Sequence, residues 1–232
     1  MPELPEVETV RRQLAPEVTG RRIEAAEVRD ERLTRPEAPR SVERGLRGRR
    51  IEAVERRGKY LLIRLEGEGT LLLHLRMTGN VLLRHPDDGD GVADMMERDR
   101  LGAPRLYESS IDLRHLRMRI SLDDGTELLF TDVRRFGTAV LVEGERDLED
   151  HLAPRVGIEP LSAELTPEAL GRIAAGRTAP LKSFLLTQTG VSGIGNIYAD
   201  EALHRAELHP LSPAGSMKPA HLEALVEGIV DA

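Results

Sequence analysis

The first nine residues, Met1-Pro2-Glu3-Leu4-Pro5-Glu6-Val7-Glu8-Thr9, put a potential nucleophile among acids. Methionine followed by a small residue is commonly trimmed, which would leave Pro2 with a free secondary amine. An α-amino group titrates at about 7.7 to 8.0, so part of it is unprotonated at neutral pH. Such an amine can attack a carbonyl-like carbon to give a Schiff base. From a secondary amine the adduct is an iminium, a cationic electron sink suited to elimination beside the attacked carbon. Glu3 stands next to the amine, where it can shuttle a proton. Taken alone, the same nine residues also read as an ordinary helix start capped by acids, with no catalytic part.

The element that would carry these groups is a helix. Pro5 suits a first turn, where its missing N–H costs nothing, and Glu6 and Glu8 are expected in that turn, where the helix dipole favours acids. Val7, Val10 and Leu14 fall at helical spacing and predict a helix to about Leu14. Beyond it the chain reads as short strands: 22–29, 50–54, a hairpin of 60–65 and 70–75 around Glu66-Gly67-Glu68-Gly69, a second hairpin of 116–122 and 127–131 around Asp123-Asp124-Gly125, and 139–142. The polar stretch from Arg84 to Ser109 shows no clear period and reads as a long surface excursion. From Pro154 the texture becomes helical, with helices expected over 168–175, 180–186, 196–205 and from Pro219 onward. Thr166 is the expected N-cap of the first, with Pro167 at its first position. The fold class is therefore α+β with two domains. Residues 1–153 form an antiparallel β-sandwich flanked by helices, and 154–232 form a helical domain.

The 232 residues suffice for two cores. With no cysteine there is neither a disulfide nor a cysteine-ligated metal, which fits a reducing cytoplasm. No signal-peptide pattern and no 18-residue apolar run is present, so no membrane is expected as a partner. A net charge of −7 argues against a polyanion ligand only mildly, because partners feel the local surface. The bases cluster, with Arg44, Arg47, Arg49, Arg50, Arg56, Arg57 and Lys59 in one run and Arg114, Arg117, Arg119, Arg134 and Arg135 in another. The first run can equally be a solvated face. Aromatics at 3% are too few for a protein that grips single strands by stacking.

Three later motifs add chemistry. Val191-Ser192-Gly193-Ile194-Gly195-Asn196-Ile197-Tyr198-Ala199 sets glycines before a helix, so that backbone N–H groups and Asn196 can meet a phosphate. Thr131-Asp132-Val133-Arg134-Arg135-Phe136-Gly137 flanks one aromatic with cations, as an intercalating wedge requires, although the segment by itself reads rather as a core phenylalanine between solvated arginines. His74-Leu75-Arg76-Met77-Thr78-Gly79 ends a strand in a turn, and a methionine there is more often core than functional.

Together with Met1 to Thr9 and Arg57-Gly58-Lys59-Tyr60, these segments closely resemble formamidopyrimidine-DNA glycosylases, bacterial enzymes that remove oxidised purines. The resemblance runs over essentially the whole chain, and Leu4 is similar to this branch, where the related endonuclease VIII branch has glycine. It implies that Pro2 is the nucleophile on the sugar carbon bearing the damaged base, that Glu3 helps open the deoxyribose ring, and that Glu6 holds the site. It implies that Lys59 assists elimination and meets a phosphate. Met77, Arg134 and Phe136 would fill the gap left by the extruded nucleotide, a step costing a few kcal/mol. His74, His115, Arg177, Lys182 and Asn196 would bind DNA, and the helical domain would be a helix-two-turn-helix module.

The sequence also departs from the family. Members normally end in a zinc ribbon of four cysteines, so the one zinc ion the resemblance implies would belong to a segment beyond these residues, and no cofactor is expected within them. Thr187 stands where the family has aspartate, and Arg117 where it has histidine. The last helix stops without a C-cap, and the reading is of a chain cut short, with its activity in doubt. The expectation is a cytoplasmic, nucleoid-associated, monomeric glycosylase with coupled β,δ-elimination lyase activity on damaged double-stranded DNA. The alternative is a non-catalytic duplex-binding module.

Overall fold

The computed structural model describes residues 2–88, 92–98, 104–107 and 113–232. The chain divides into two compact units, Met1–Leu148 and Glu149–Ala232.

The first unit opens with α1 (Leu4–Val18) and continues through β1 (Ile23–Val28), α2 (Pro39–Leu46), β2 (Ile51–Arg57), β3 (Tyr60–Leu65), β4 (Gly69–His74), β5 (Gly79–Arg84), β6 (Val92–Arg98), β7 (Pro104–Tyr107), β8 (Leu116–Leu122), β9 (Glu127–Asp132) and β10 (Thr138–Glu143). A six-stranded sheet has the order β1-β8-β9-β5-β6-β7, and a four-stranded sheet the order β10-β4-β3-β2. Every pairing within them is antiparallel. Along β8 burial alternates, with Leu116, Met118, Ile120 and Leu122 buried and Arg117, Arg119 and Ser121 half-buried, the period of a strand with one face on a core. That core joins the strands to α1 through Val7, Val10, Leu14 and Val18, and to α2 through Val42 and Leu46.

Several sequence expectations need correction. Helix α1 runs one turn beyond Leu14: burial of Val18 outweighs the backbone bond forfeited at Pro16, which lies inside the helix. Glu8 lies past the first turn, where only Glu6 remains among the acids. The stretch 84–109 is not simply a surface excursion, since β6 and β7 extend the six-stranded sheet. Val92 to Met95 are buried in succession, and burial on both faces erases the period-2 signal. The remainder of that stretch, residues 89–91, 99–103 and 108–109, lies outside the described residues. Helix α2 was not expected at all, and part of the first basic run falls on it. Arg44, Arg47 and Arg50 of that run are exposed, as on a solvated face, whereas Arg49 and Arg56 are half-buried in ion pairs, with Glu143 at 2.8 Å and Glu8 at 3.2 Å.

Helix α3 (Gly144–Leu152), also unexpected, crosses the division between the units. The second unit follows with α4 (Pro167–Ala174), α5 (Leu181–Leu185), α6 (Asn196–Arg205) and α7 (Pro219–Asp231). Thr166 caps α4 by accepting the Ala169 N–H at 3.1 Å. The core of this unit is formed by Leu170, Leu181, Phe184, Leu185, Leu203, Leu225 and Ile229 among others. Helices α6 and α7 approach so closely that a Cβ on Gly228 would lie 2.6 Å from the Ala202 carbonyl oxygen. No helix among the described residues is long and apolar enough to cross a membrane.

Candidate active site and DNA-facing surfaces

The start of α1 and the β2–β3 turn form one buried corner. Pro2 and Glu3 are buried. Glu3 is the N-cap of α1, and the Glu6 carboxylate accepts its backbone N–H at 3.0 Å, so Glu6 holds the entry to the helix. Lys59 follows the turn at Gly58 and is only 4% exposed. Burial pushes its pKa down, while the Glu3 and Glu6 carboxylates oppose that shift, so a buried lysine stands among acids. Arg56 braces the corner, donating from Nε to Glu8 Oε2 at 3.2 Å and from Nη1 to the Gly58 carbonyl at 2.9 Å. Burial would raise the Glu8 pKa, yet the guanidinium groups of Arg11, Arg12 and Arg56 together hold it at about 2.

His74 ends β4 opposite Tyr60, and the two rings meet edge to face with centroids 4.6 Å apart. Its Nδ1 accepts the Arg76 N–H at 3.0 Å, so the proton of the neutral ring resides on Nε2. Burial first, then the charges of Arg76 and Lys59, lower its pKa to about 3. At neutral pH His74 is therefore an uncharged donor beside the Lys59 corner.

The wedge residues meet because of topology. The chain crosses from the four-stranded to the six-stranded sheet between β4 and β5 and returns between β9 and β10. Since β4 pairs with β10 and β5 with β9, the two crossing turns lie side by side. They expose Met77 (41%) and Phe136 (51%), and the Arg134 guanidinium sits 4.8 Å from the Phe136 ring centroid. The buried phenylalanine of this unit is Phe130 instead. This overturns the reading of Met77 and Phe136 as core residues. Val133, 58% exposed in the same loop, was not singled out by sequence. His115 ends a 3-10 turn leading into β8 and is half-buried.

In the second unit Asn196 is the exposed first residue of α6. The glycine turn before it is stitched by Gln188, which donates to the Leu186 and Ile194 carbonyls at 3.0 and 2.8 Å and accepts the Gly193 N–H at 3.0 Å. Lys182 pairs with Asp200 at 2.8 Å. Arg177 is exposed and, with Arg172, Phe184, Thr187, Thr189 and Gly190, lines a cavity of about 250 Å³. Pro2, Glu3, Glu6, Lys59 and His74 thus share one region of the first unit, and Met77, Arg134 and Phe136 share one surface of it. Arg177, Lys182 and Asn196 belong to the second unit.

Sequence reasoning missed Arg56, Asp132, Thr78 and Gln188. The last three sit in or beside the motifs quoted, but their partners are main-chain groups and residues distant in sequence. Among the described residues no group of three or more His, Cys, Asp or Glu side chains could hold a metal ion. With no cysteine in the chain, a four-cysteine zinc site finds no ligands here.

Comparison with known proteins bears on these arrangements. The formamidopyrimidine-DNA glycosylase N-terminal domain matches residues 1–139, and the formamidopyrimidine-DNA glycosylase H2TH domain matches 156–232. The formamidopyrimidine-DNA glycosylase of Symbiobacterium thermophilum is 44% identical over 226 residues, 97% of this chain and 66% of the relative. That of Paracoccus denitrificans is 44% identical over 228 residues, 97% of this chain and 74% of the relative. The structure of Lactococcus lactis Fpg in complex with DNA containing an abasic site superposes with a TM-score of 0.81 at 30% identity, covering 99% of this chain and 76% of that one. The chain thus spans about two thirds to three quarters of the length of these proteins.

Proposed function

The chain belongs to the formamidopyrimidine-DNA glycosylase family, and from that premise we propose that it is a base-excision repair glycosylase that removes oxidised purines from duplex DNA and cleaves the resulting abasic site. One observation carries the reading: Lys59, buried to 4% exposure, interacts with Glu3 and Glu6 at the start of α1, immediately after the buried Pro2. Once Met1 is removed, the Pro2 nitrogen attacks the sugar carbon that bears the damaged base. The bond to the base breaks, and Glu3 delivers a proton that opens the ring. With the iminium as electron sink, a proton leaves the neighbouring carbon and the 3′-phosphate departs as its C–O bond breaks (β-elimination), a second proton loss expels the 5′-phosphate (δ-elimination), and water then releases the sugar fragment from Pro2; Lys59, buried beside Pro2, assists these proton transfers. Met77, Arg134 and Phe136 occupy the stack vacated by the extruded nucleotide, which lowers the cost of flipping. Asn196, Lys182, Arg177, His74 and His115 hold phosphates. The protein acts as a monomer on damaged DNA in the bacterial cytoplasm.

Borohydride reduction in the presence of abasic-site DNA tests this reading. The expected product is a covalent complex whose peptide map places the adduct on Pro2. An adduct on a lysine would overturn Pro2 as the nucleophile, and no adduct from protein whose mass confirms loss of Met1 would leave duplex binding without catalysis as the function. Glu3→Gln is expected to slow base removal by about 10²- to 10⁴-fold, within the span of a general acid, while keeping most strand cleavage at a preformed abasic site.

A further inference from the structure

Asp132 closes β9 and is 1% exposed. One of its oxygens, Oδ2, accepts the N–H groups of Phe136 and Gly137 at 2.8 and 2.7 Å. The other, Oδ1, accepts the Arg134 N–H at 3.1 Å and the Thr78 hydroxyl. The Thr78 hydroxyl oxygen also accepts the Arg134 N–H, at 3.1 Å. One carboxylate therefore folds the 133–137 loop around itself and ties it to the turn that carries Met77. The loop is fastened from outside as well. Arg135, with φ +61, turns its guanidinium away from Arg134 and Phe136 onto the buried Asp30, Nη2 to Oδ1 at 2.7 Å. Arg117 donates from Nε to the Asp132 carbonyl at 2.8 Å. A Cβ on Gly137 would lie 2.7 Å from the Phe130 ring and 3.2 Å from Asp132 Oδ2, so the loop has no room to slide at its base.

We propose that Asp132 is the positioning residue of the DNA-inserting surface, locking the Met77 turn to the Arg134–Phe136 loop through Thr78 so that the three side chains enter the duplex as one body. The proposal rests on the reading of these side chains as a wedge. Insertion into a base stack has to offset lost stacking, and a loop already fixed in its inserting shape avoids a further loss of backbone freedom at that step. An aspartate suits the position because ionised it offers acceptors only, and all its partners are donors. An asparagine of the same shape would set its NH2 either against the Phe136 and Gly137 N–H groups or against the Arg134 N–H and the Thr78 hydroxyl, so that at least one N–H loses its acceptor.

The test compares an abasic site in fully paired DNA with the same site in an unpaired bubble, where no stack has to be filled, using the full chain after Met1 removal. Asp132→Asn is expected to lower the ratio of paired to bubble kcat/KM by about 10- to 100-fold, the scale of lost charge-assisted hydrogen bonds. Thr78→Val should lower it in the same sense, and Thr78→Ser, which keeps the hydroxyl, should restore it. A general loss of structure would reduce both substrates alike and leave the ratio unchanged, which would overturn the proposal, as would a Thr78→Val ratio equal to that of the wild type. If Asp132→Asn does not fold, the Thr78 pair decides. A 2-aminopurine opposite the abasic site adds a readout that needs no chemistry. Wild-type protein should raise its fluorescence, and Thr78→Val should not. A wild-type protein that raises the fluorescence yet forms no borohydride adduct would remove the glycosylase reading and leave the clamp standing.

Discussion

Two turns in this molecule are organised by one polar side chain each, and the side chains differ in charge. The β9–β10 loop is gathered by the carboxylate of Asp132, the glycine turn before α6 by the amide of Gln188. On the proposed reading the first presents side chains, Arg134 and Phe136, that have to push into a stack. Its carboxylate is satisfied by three N–H groups and the Thr78 hydroxyl, and Arg117 is fastened to the same loop. On the same reading the second presents main-chain N–H groups and Asn196 to a phosphate, and a fixed carboxylate there would repel the ligand. An amide organises the turn without that repulsion, because it both donates and accepts. The choice between two residues of similar hydrogen-bonding reach thus follows the charge of what each turn faces.

The contrast is broken most severely by Gln188→Glu, which loses both donations to the Leu186 and Ile194 carbonyls and sets a charge against them. We expect a loss of about 3 kcal/mol in unfolding free energy, read from urea denaturation. Asp132→Asn should cost less, about 2 kcal/mol. If the order is reversed, charge is not what distinguishes the turns. Next in size is a pH effect beside the wedge. His74 is neutral in the native state down to about pH 3, whereas the unfolded ring binds a proton near 6.5. Between those values the unfolded state holds more protons, so stability falls as pH drops, by up to about 1.4 kcal/mol per unit from this group. Denaturation at pH 6.5 and 5.5 should show a smaller drop in His74→Gln than in the wild type, and parallel drops would mean that His74 titrates normally. The smallest effect sharpens the contrast on the other side. Asp200 lies one turn along α6 from Asn196 and holds Lys182 at 2.8 Å, so Asp200→Asn should free a cation for phosphate and tighten duplex binding by about 2- to 5-fold, the scale of one exposed pair. Weaker binding would show that the pair positions Lys182 instead of competing for it.

How legible these features were depended on where their partners lay. Helix α6 was read at both ends from the glycines before Asn196 and the apolar spacing after it, and β8 from the alternation of Leu116, Met118, Ile120 and Leu122. Helix α2 escaped because its apolar signal amounts to Val42 and Leu46, the two buried residues of a short helix. Strand β6 escaped because burial on both faces leaves no period to see. At the site, the segments that hold Pro2, Glu3, Lys59, Arg134 and Phe136 stood out in the sequence, but residue types alone gave each an ordinary structural reading, and their roles came from the family resemblance. The exposure of Met77 did not follow from its type, since an apolar side chain in a turn ordinarily packs inward. Asp132 could not be found, because its bonds go to main-chain N–H groups and to a threonine 54 positions earlier.

That separation has a consequence for how the protein matures. The two crossing turns become neighbours only when β4 has found β10 and β5 has found β9, and Arg135 meets Asp30 across 105 positions of chain. Pairings so far apart in sequence form slowly, because loop-closure entropy has to be met before they contribute. A chain with its local helices and hairpins in place but its sandwich still open would carry the amine, the lysine and the glycine turn, and would have no wedge. On the proposed reading, competence to enter a duplex is thereby coupled to completion of the most non-local part of the fold, so that partly folded chains would not be equipped to open DNA.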